Sequence, residues 1–394
     1  MCLELSSWNF QELSSGIPNK MDTPKKILLV TRPIAPPWDE ASKNFAYTLA
    51  KDLSSNKNLE LHLMTKGNVS ELPREIIQEH VYTHSENDFG FFQKIRSLIF
   101  QIITRNKFNI AHFVFTPTKL NSFVIKNFIQ NNRAKTIQTI ATLREDMFSD
   151  EEIKKLIFAD LIITYSDYAK EKLEKLGIKN VKRIYPGIDL EKYHARETRS
   201  LYKKYAPEDF VINFTGEYTR LGAMDDVIEA FIEASIKIHT AKLSLAVRVK
   251  NEKDAQKKKE VIQKLEQNNL LKRVVFHDDG KFNMADIYNL CDISLFPVQN
   301  MHGKFDVPLV VVEAMACEKP AIVSNISILK EFARDENSVT IECGNVQQLV
   351  DAILDLYANR EKRSTLGKAG RKFCEENFDI KKVSETYAQI YAEL

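Results

Sequence analysis

Glu313 stands alone as a charge within an apolar run, PLVVVEAMA, that ends in the turn Glu318-Lys319-Pro320 and a short apolar strand, Ala321 to Ser324. A carboxylate in such a run is costly to bury unless something pairs with it. The run is preceded by Asp306-Val307-Pro308, and proline is favoured at the start of a helix, so a helix is expected to begin near Pro308. A helix start offers unpaired backbone N–H groups and the positive end of the macrodipole, which together attract phosphate. Glu313 lies five residues beyond Pro308, about 7–8 Å along the axis. The spacing suits a ligand with phosphates at the helix tip and hydroxyls beside the carboxylate, such as a nucleoside diphosphate. The plain alternatives are a Glu313 that braces a neighbouring loop and an Asp306 that caps the helix, since Asp is favoured at helix starts.

The elements that must position this segment are legible as alternation. Lys26–Thr31, Leu59–Thr65, Ile110–Phe115, Thr136–Ile140 and Ala159–Tyr165 read as strands, and Ala41–Leu53 has the 3.6-residue period of a helix with Phe45, Leu49 and Leu53 on one stripe. The pattern breaks at Ile184-Tyr185-Pro186-Gly187, where a strand ends on a Pro-Gly turn, and a charged segment runs to about Pro207. A second series follows: strands at Phe210–Thr215, Lys242–Val249, Val274–His277 and Ile293–Phe296, with helices at Ala223–Ile238, Asp254–Asn268, Val346–Tyr357, Glu361–Glu376 and Ile380–Leu394. Strands alternating with helices predict mostly parallel sheets covered on both faces. The expected division is an extension at 1–22, a first Rossmann-like domain at 23–190, a second at 205–376, and a C-terminal crossover helix at 377–394. In such folds ligands bind beyond the carboxyl ends of the strands, so the Glu313 segment would face a cleft between two α/β domains.

The bulk numbers narrow the class. A chain of 394 residues is long for one core, and two domains are expected. A net charge of +2 gives no strong overall attraction for polyanions, which argues against a nucleic-acid partner. The five cysteines show no paired spacing and read as reduced thiols of a cytoplasmic protein. The eight histidines are scattered, and Asp225-Asp226 and Asp278-Asp279 are adjacent pairs, so no metal site is expected. No Asp or Glu occurs from Phe89 to Lys135, a stretch holding eight cations and many bulky apolar residues. This is the composition of a segment lying on an anionic membrane surface, or of a core helix with a solvated basic face.

Five segments in order resemble the retaining GT-B glycosyltransferases of family 4, the glycosyl transferases group 1. They are Pro36-Pro37-Trp38-Asp39, ADLIITYSDYAKEKLEKLGIKNVKRIYPGIDLEKY (159–193), FVINFTGEYTRLGAMDDVIEAF (210–231), CDISLFP (291–297), and the segment containing EAMACEKPAIVS. The resemblance implies two doubly wound domains facing a central cleft, with the donor in the second domain and the acceptor in the first. By that likeness Gly216, Arg220, Lys304, Asp306, Val307, Leu309 and Glu313 are donor-side residues, Glu313 receiving the ribose. Asp39 and Arg144 are acceptor-side. The chain departs from the family at several points. The first of the two family glutamates falls on Phe305, the diphosphate arginine and lysine fall on Glu217 and Gly222, and the glycines expected after the first strand are Glu40 and Ala41. The glycines expected after Ser324 are Ser327 and Ile328, and a first-domain histidine falls on Ala141 or Thr142. Arg220 and Lys304 are the cations left to replace the missing pair. The implied activity is metal-independent transfer of a sugar from a UDP- or GDP-sugar, without other cofactor, to a glycan or lipid-linked acceptor. The implied setting is surface polysaccharide or glycolipid assembly at the inner membrane face. The alternatives are a GT-B protein whose donor site has decayed into a scaffold, and a sugar-nucleotide epimerase.

Overall fold

The computed structural model describes residues 23–36, 40–83, 89–115, 117–130, 133–278 and 282–394. Asp39 and the expected extension at 1–22 lie outside them.

Two parallel sheets carry the chain. The first is built from β1 (Lys25–Ile34), β2 (Leu59–Lys66), β3 (Ile77–Tyr82), β4 (Ile110–Val114), β5 (Lys135–Ile140), β6 (Leu161–Thr164) and β7 (Val181–Arg183), in the order β3-β2-β1-β4-β5-β6-β7. Between them run α1 (Ala41–Leu53), α2 (Phe91–Thr104), α3 (Lys119–Val124), α4 (Asp150–Leu156) and α5 (Asp167–Lys175). The second sheet comprises β8 (Phe210–Gly216), β9 (Ala241–Val247), β10 (Val274–Phe276), β11 (Ile293–Phe296), β12 (Ala321–Ser324) and β13 (Ser338–Ile341), in the order β10-β9-β8-β11-β12-β13. Its helices are α6 (Ala223–Lys237), α7 (Glu252–Gln267), α8 (Met284–Leu290), α9 (Leu309–Ala316), α10 (Val346–Ala358) and α11 (Arg360–Asn377), and the chain ends in α12 (Ile380–Glu393). All recorded strand pairings are parallel. Reversal of strand order beside β1 and beside β8 makes both sheets doubly wound.

The apolar runs form these strands because both faces of each sheet are covered. β8 is buried through Phe210–Thr215, and β11 and β12 are buried throughout. In α1 the expected stripe of Phe45, Leu49 and Leu53 points into the core. Two strands escaped the pattern. β3 is an edge strand with four of its six residues at least partly exposed, so it lacks an apolar run. β13, Ser-Val-Thr-Ile, is short and half polar.

The last helix returns to the first sheet. Tyr387 and Tyr391 of α12 are fully buried, and the Tyr391 hydroxyl shares a 2.7 Å hydrogen bond with His112 Nδ1 of β4. Burial drives the His112 pKa down to about 3, so the ring stays neutral and can sit between Tyr391 and Thr139. Lys25 Nζ donates to the carbonyls of Tyr391 and Ala392 at the end of α12, 3.1 and 2.7 Å away, where a cation meets the negative end of a helix. The crossing point is tight. Ile188 N donates to Phe378 O at 2.8 Å, and Ile380 N donates to Ile188 O at 3.0 Å.

A second joint ties the two sheets at their carboxyl ends. Asp306, between β11 and α9, is 5 % exposed. Its Oδ2 accepts from Ser166 Oγ at 2.5 Å, and its N–H donates to Ala141 O at 2.9 Å. It does not cap α9: Pro308 holds the cap position and no side chain bonds there. The expected capping role is therefore corrected. Asp306 is drawn instead to first-domain donors because they are the polar groups within its buried surroundings. Nearby, Glu331 accepts from the N–H groups of Asp167 and Tyr168 at 2.8 and 2.9 Å, so a second-domain carboxylate caps α5 of the first.

Two measurements test these joints. A Cβ on Gly187 would lie 2.9 Å from Ile380 Cα, so Gly187→Ala must push the crossover apart. It is expected to lower unfolding stability by about 1–3 kcal/mol in urea titrations; wild-type stability would show that α12 yields freely. For Asp306, burial raises the pKa to about 7, against the Ser166 and Thr142 hydroxyls, with the charges of Glu331 and Glu145 adding to the rise. An unfolded aspartate titrates near 3.9. Between about pH 4 and 7 the folded chain holds a proton that the unfolded chain has lost, so stability falls as pH rises through that window and levels above it. Asp306→Asn removes this slope. Its stability advantage over wild type is expected to grow from pH 4 to 7 by on the order of a few kcal/mol, and parallel curves would refute the assignment.

Candidate donor site at the cleft

The candidate donor residues sit where the carboxyl ends of the second sheet meet the first domain. Glu313 lies in the second turn of α9, part of its surface exposed. Its Oε2 accepts from the hydroxyl of Tyr288, on α8, at 2.9 Å. Burial raises the Glu313 pKa, opposed by hydrogen bonds from Tyr288 and Tyr193 and by the charges of Lys192 and Lys304. The carboxylate is therefore braced by the protein, as its plain reading anticipates. A carboxylate offers about four acceptor directions, so two tyrosine hydroxyls leave room for further donors.

At the tip of α9, Val307 is buried and Leu309 packs on the core, so their side chains serve structure and the main chain alone is available to a ligand. The first N–H groups of a helix have no partners within it, and no side chain caps these. Gly216 ends β8.

The cations meet around Glu217. Arg220 donates to both Glu217 carboxylate oxygens at 2.5 Å, and Lys250 Nζ lies 3.2 Å from Oε1. Burial works to raise the Glu217 pKa, but the Arg220 bond and the charges of Lys304 and Lys250 outweigh it and hold the group below its ordinary value. Lys304 is lowered by burial and by the neighbouring Arg220 and Lys250, against the opposing pull of Glu217 and Glu313. Three cations thus face two carboxylates. Arg220 also donates to Gly303 O at 3.1 Å.

Arg144 reaches this place from the first domain. It adopts a left-handed backbone, φ 57°, uncommon for a residue with a side chain. Its guanidinium is fixed on Asp146 by bonds of 2.9 and 3.0 Å. A Cβ on Gly303, at φ 64°, would lie 3.5 Å from Arg144 Cζ and 3.6 Å from Arg220 Nη1. The cleft therefore brings Arg144, Arg220 and Lys304 together over one glycine. Phe305, which stands where a family glutamate is expected, packs edge-on against Tyr165 with ring centroids 5.5 Å apart, so this position serves apolar contact between the domains.

Sequence reasoning missed Lys250, Tyr288, Tyr193, Ser166 and Glu331. Lys250 carried one usable signal, a cation just past the end of a predicted strand in an α/β fold. The others act through contacts between distant segments and left none. Among the described residues no three His, Cys, Asp or Glu side chains gather as a metal site requires.

Residues 200–373 match the family described as glycosyl transferases group 1. The capsular polysaccharide biosynthesis glycosyltransferase CapM of Staphylococcus aureus is 23% identical over 361 residues, 85% of this chain and 90% of CapM. An uncharacterized glycosyltransferase of Methanocaldococcus jannaschii is 21% identical over 301 residues, 74% of this chain and 75% of its own. Among solved structures, Anabaena HepE in complex with UDP and glucose superposes with a TM-score of 0.74 at 17% identity, covering 94% of this chain and all of HepE. Sucrose-phosphate synthase from Thermosynechococcus elongatus gives 0.74 at 17%, covering 94% of this chain and 98% of the other. Both likenesses are of fold, and they agree with the two doubly wound sheets described above. The match to the glycosyl transferases group 1 family thus falls on residues 200–373, which hold the second sheet, and the chain is a glycosyltransferase with the GT-B fold.

Proposed function

We propose that this chain moves a sugar from a UDP- or GDP-sugar to a glycan or lipid-linked acceptor, with retention and without a metal, in the assembly of a surface polysaccharide or glycolipid. A lipid-linked acceptor would bring it to the inner face of a membrane. The observation that carries the donor reading is the gathering of Arg220, Lys250 and Lys304 beside the uncapped start of α9, with Glu313 one turn further in. In the reading, the diphosphate lies across the N–H groups of the helix tip and these cations. Glu313 accepts the ribose hydroxyls about 6 Å along the axis. As the bond from sugar to diphosphate breaks, negative charge grows on the departing phosphate. Fixed cations in a partly dehydrated cleft stabilise that charge more than they stabilise the bound donor. Arg144, on the opposite wall, would face the acceptor. HepE with bound UDP and glucose, and the role of CapM in capsule synthesis, support the choice of donor and product class.

Calorimetric titration with UDP and GDP tests the reading. Glu313→Gln keeps the side-chain shape and is expected to weaken nucleotide binding by about tenfold or more, the loss for a hydrogen bond to a charged group. A folded wild-type protein that binds neither nucleotide nor any activated sugar would overturn the proposal. Glu217 supplies a second measurement. It occupies the cations that a diphosphate would use, so Glu217→Gln is expected to tighten UDP binding by roughly fivefold. Weaker binding would show that Glu217 positions Arg220 for the ligand and does not compete with it.

A further inference from the structure

The fully buried positions of α2 are all polar, Gln93, Ser97, Gln101 and Thr104, with Leu98, Phe100 and Ile102 partly buried against the core beside them. Phe92 is 79 % exposed and Ile103 71 %, with Phe91 and Ile99 also turned to solvent. This orientation is fixed by hydrogen bonds. Gln93 donates to Thr83 O at 3.0 Å and accepts from Thr83 N at 3.2 Å, which locks one turn of α2 to the end of β3. Gln101 Nε2 donates to Ser97 O at 3.1 Å, and Arg96 Nε to Val81 O at 3.0 Å. Rotating the helix to bury its apolar stripe would break the bonds of Gln93 and Arg96 to the end of β3, each at a cost of about 1–3 kcal/mol.

The exposed apolar surface continues beyond α2. Arg105 donates to Phe128 O at 2.7 Å, joining the end of α2 to the π-helical turn Ile125–Ile129 that follows α3. Leu120 and Phe123 of α3 and Phe128 of that turn are each at least half exposed. Lys94, Arg96, Arg105, Lys107 and Lys126 are exposed among them. No acid occurs in the sequence from 89 to 135; Glu152 of α4 meets Lys119 at 2.5 Å, at the border of the patch. Soluble monomers rarely show an apolar patch of this extent without a partner. A partner of like apolar character alone would not call for the cations.

We propose that the outer face of α2, α3 and the turn after it docks on an anionic bilayer, its phenylalanines and isoleucines entering the headgroup boundary and its lysines and arginines meeting lipid phosphates. The inference deepens the membrane setting of the proposed function and is independent of the donor site. It assigns the contact to one face of the first domain and to particular side chains.

Co-sedimentation with phosphatidylcholine vesicles, with and without phosphatidylglycerol, tests it. The wild-type chain is expected to pellet with the anionic vesicles and far less with the neutral ones. The triple change Phe92→Ser, Ile99→Ser and Ile103→Ser should lower partitioning by on the order of a hundredfold. Lys94→Gln with Lys107→Gln should lower it by roughly tenfold. These side chains are exposed, so unchanged melting temperature and unchanged UDP binding serve as controls. A wild-type chain that binds UDP but no vesicle overturns the docking proposal and leaves the donor reading intact; vesicle binding without nucleotide binding does the reverse. Vesicle binding that survives the triple change overturns the assignment of this face. Concentration-dependent self-association in analytical ultracentrifugation, abolished by the triple change and unaccompanied by lipid binding, would assign the face to a second copy of the chain.

Discussion

A buried carboxylate must be met by donors or give up its charge, and the whole cleft is arranged around the way Asp306 meets this demand. Its partners lie in the other domain: the Ser166 hydroxyl, with the Ala141 carbonyl taking its own N–H. Glu331 repeats the device, closing open N–H groups at the start of α5. Both bonds place an acid of the second domain on the first. The loop between β11 and α9 is thereby held at both ends, by its strand and by Asp306. Gly303 and Lys304 sit in the span between. That is what sets Arg144 against Arg220 and fixes where a negatively charged ligand would find cations.

The charge pattern in the cleft is a compensated one. A carboxylate, Glu217, stands where the resemblance puts an arginine, and isolated there it would repel a diphosphate. It is instead surrounded by Arg220, Lys250 and Lys304, drawn from three separate loops. Lone exposed ion pairs contribute little to stability. Here the Glu217 side chain is largely enclosed, 11% exposed, so its pairs order the loops that carry them. Lys304 is more enclosed than Arg220 and Lys250, and burial lowers its pKa despite two acidic neighbours. The site keeps positive charge in excess while using one internal acid to hold it in place.

The fold was legible in the sequence because its signals are local. β1, β8 and β11 are apolar runs buried on both faces, and α1 shows its stripe directly. β3 and β13 were missed because an edge strand and a four-residue half-polar strand carry no such run. The site was legible only in outline. Glu313 and the helix start could be placed from one segment, whereas the partner of Asp306 is 140 residues away and no periodicity points to it. The local preference of Asp for helix caps gave the wrong partner, since tertiary contact outweighs a cap worth about 1 kcal/mol. For α2 the composition suggested either a helix on a membrane surface or a core helix with a basic face, and composition does not say which side turns inward. Only the bonds from Gln93 and Arg96 to the end of β3 decide that.

The braces on Glu313 connect the donor site to the route between the domains. Tyr288 comes from within the second domain, but Tyr193 belongs to the connecting segment that leaves the first. The same segment is gripped by Arg371 of α11, whose Nη1 donates to Tyr193 O at 2.8 Å and to Ala316 O, at the end of α9, at 3.0 Å. The chain crosses back to the first sheet at Phe378–Ile380, where it bonds to Ile188, five residues before Tyr193. Helix α9, the connection and the crossover are thus one bonded unit. Glu313 is held from two sides, by its own domain through Tyr288 and by the connecting segment through Tyr193.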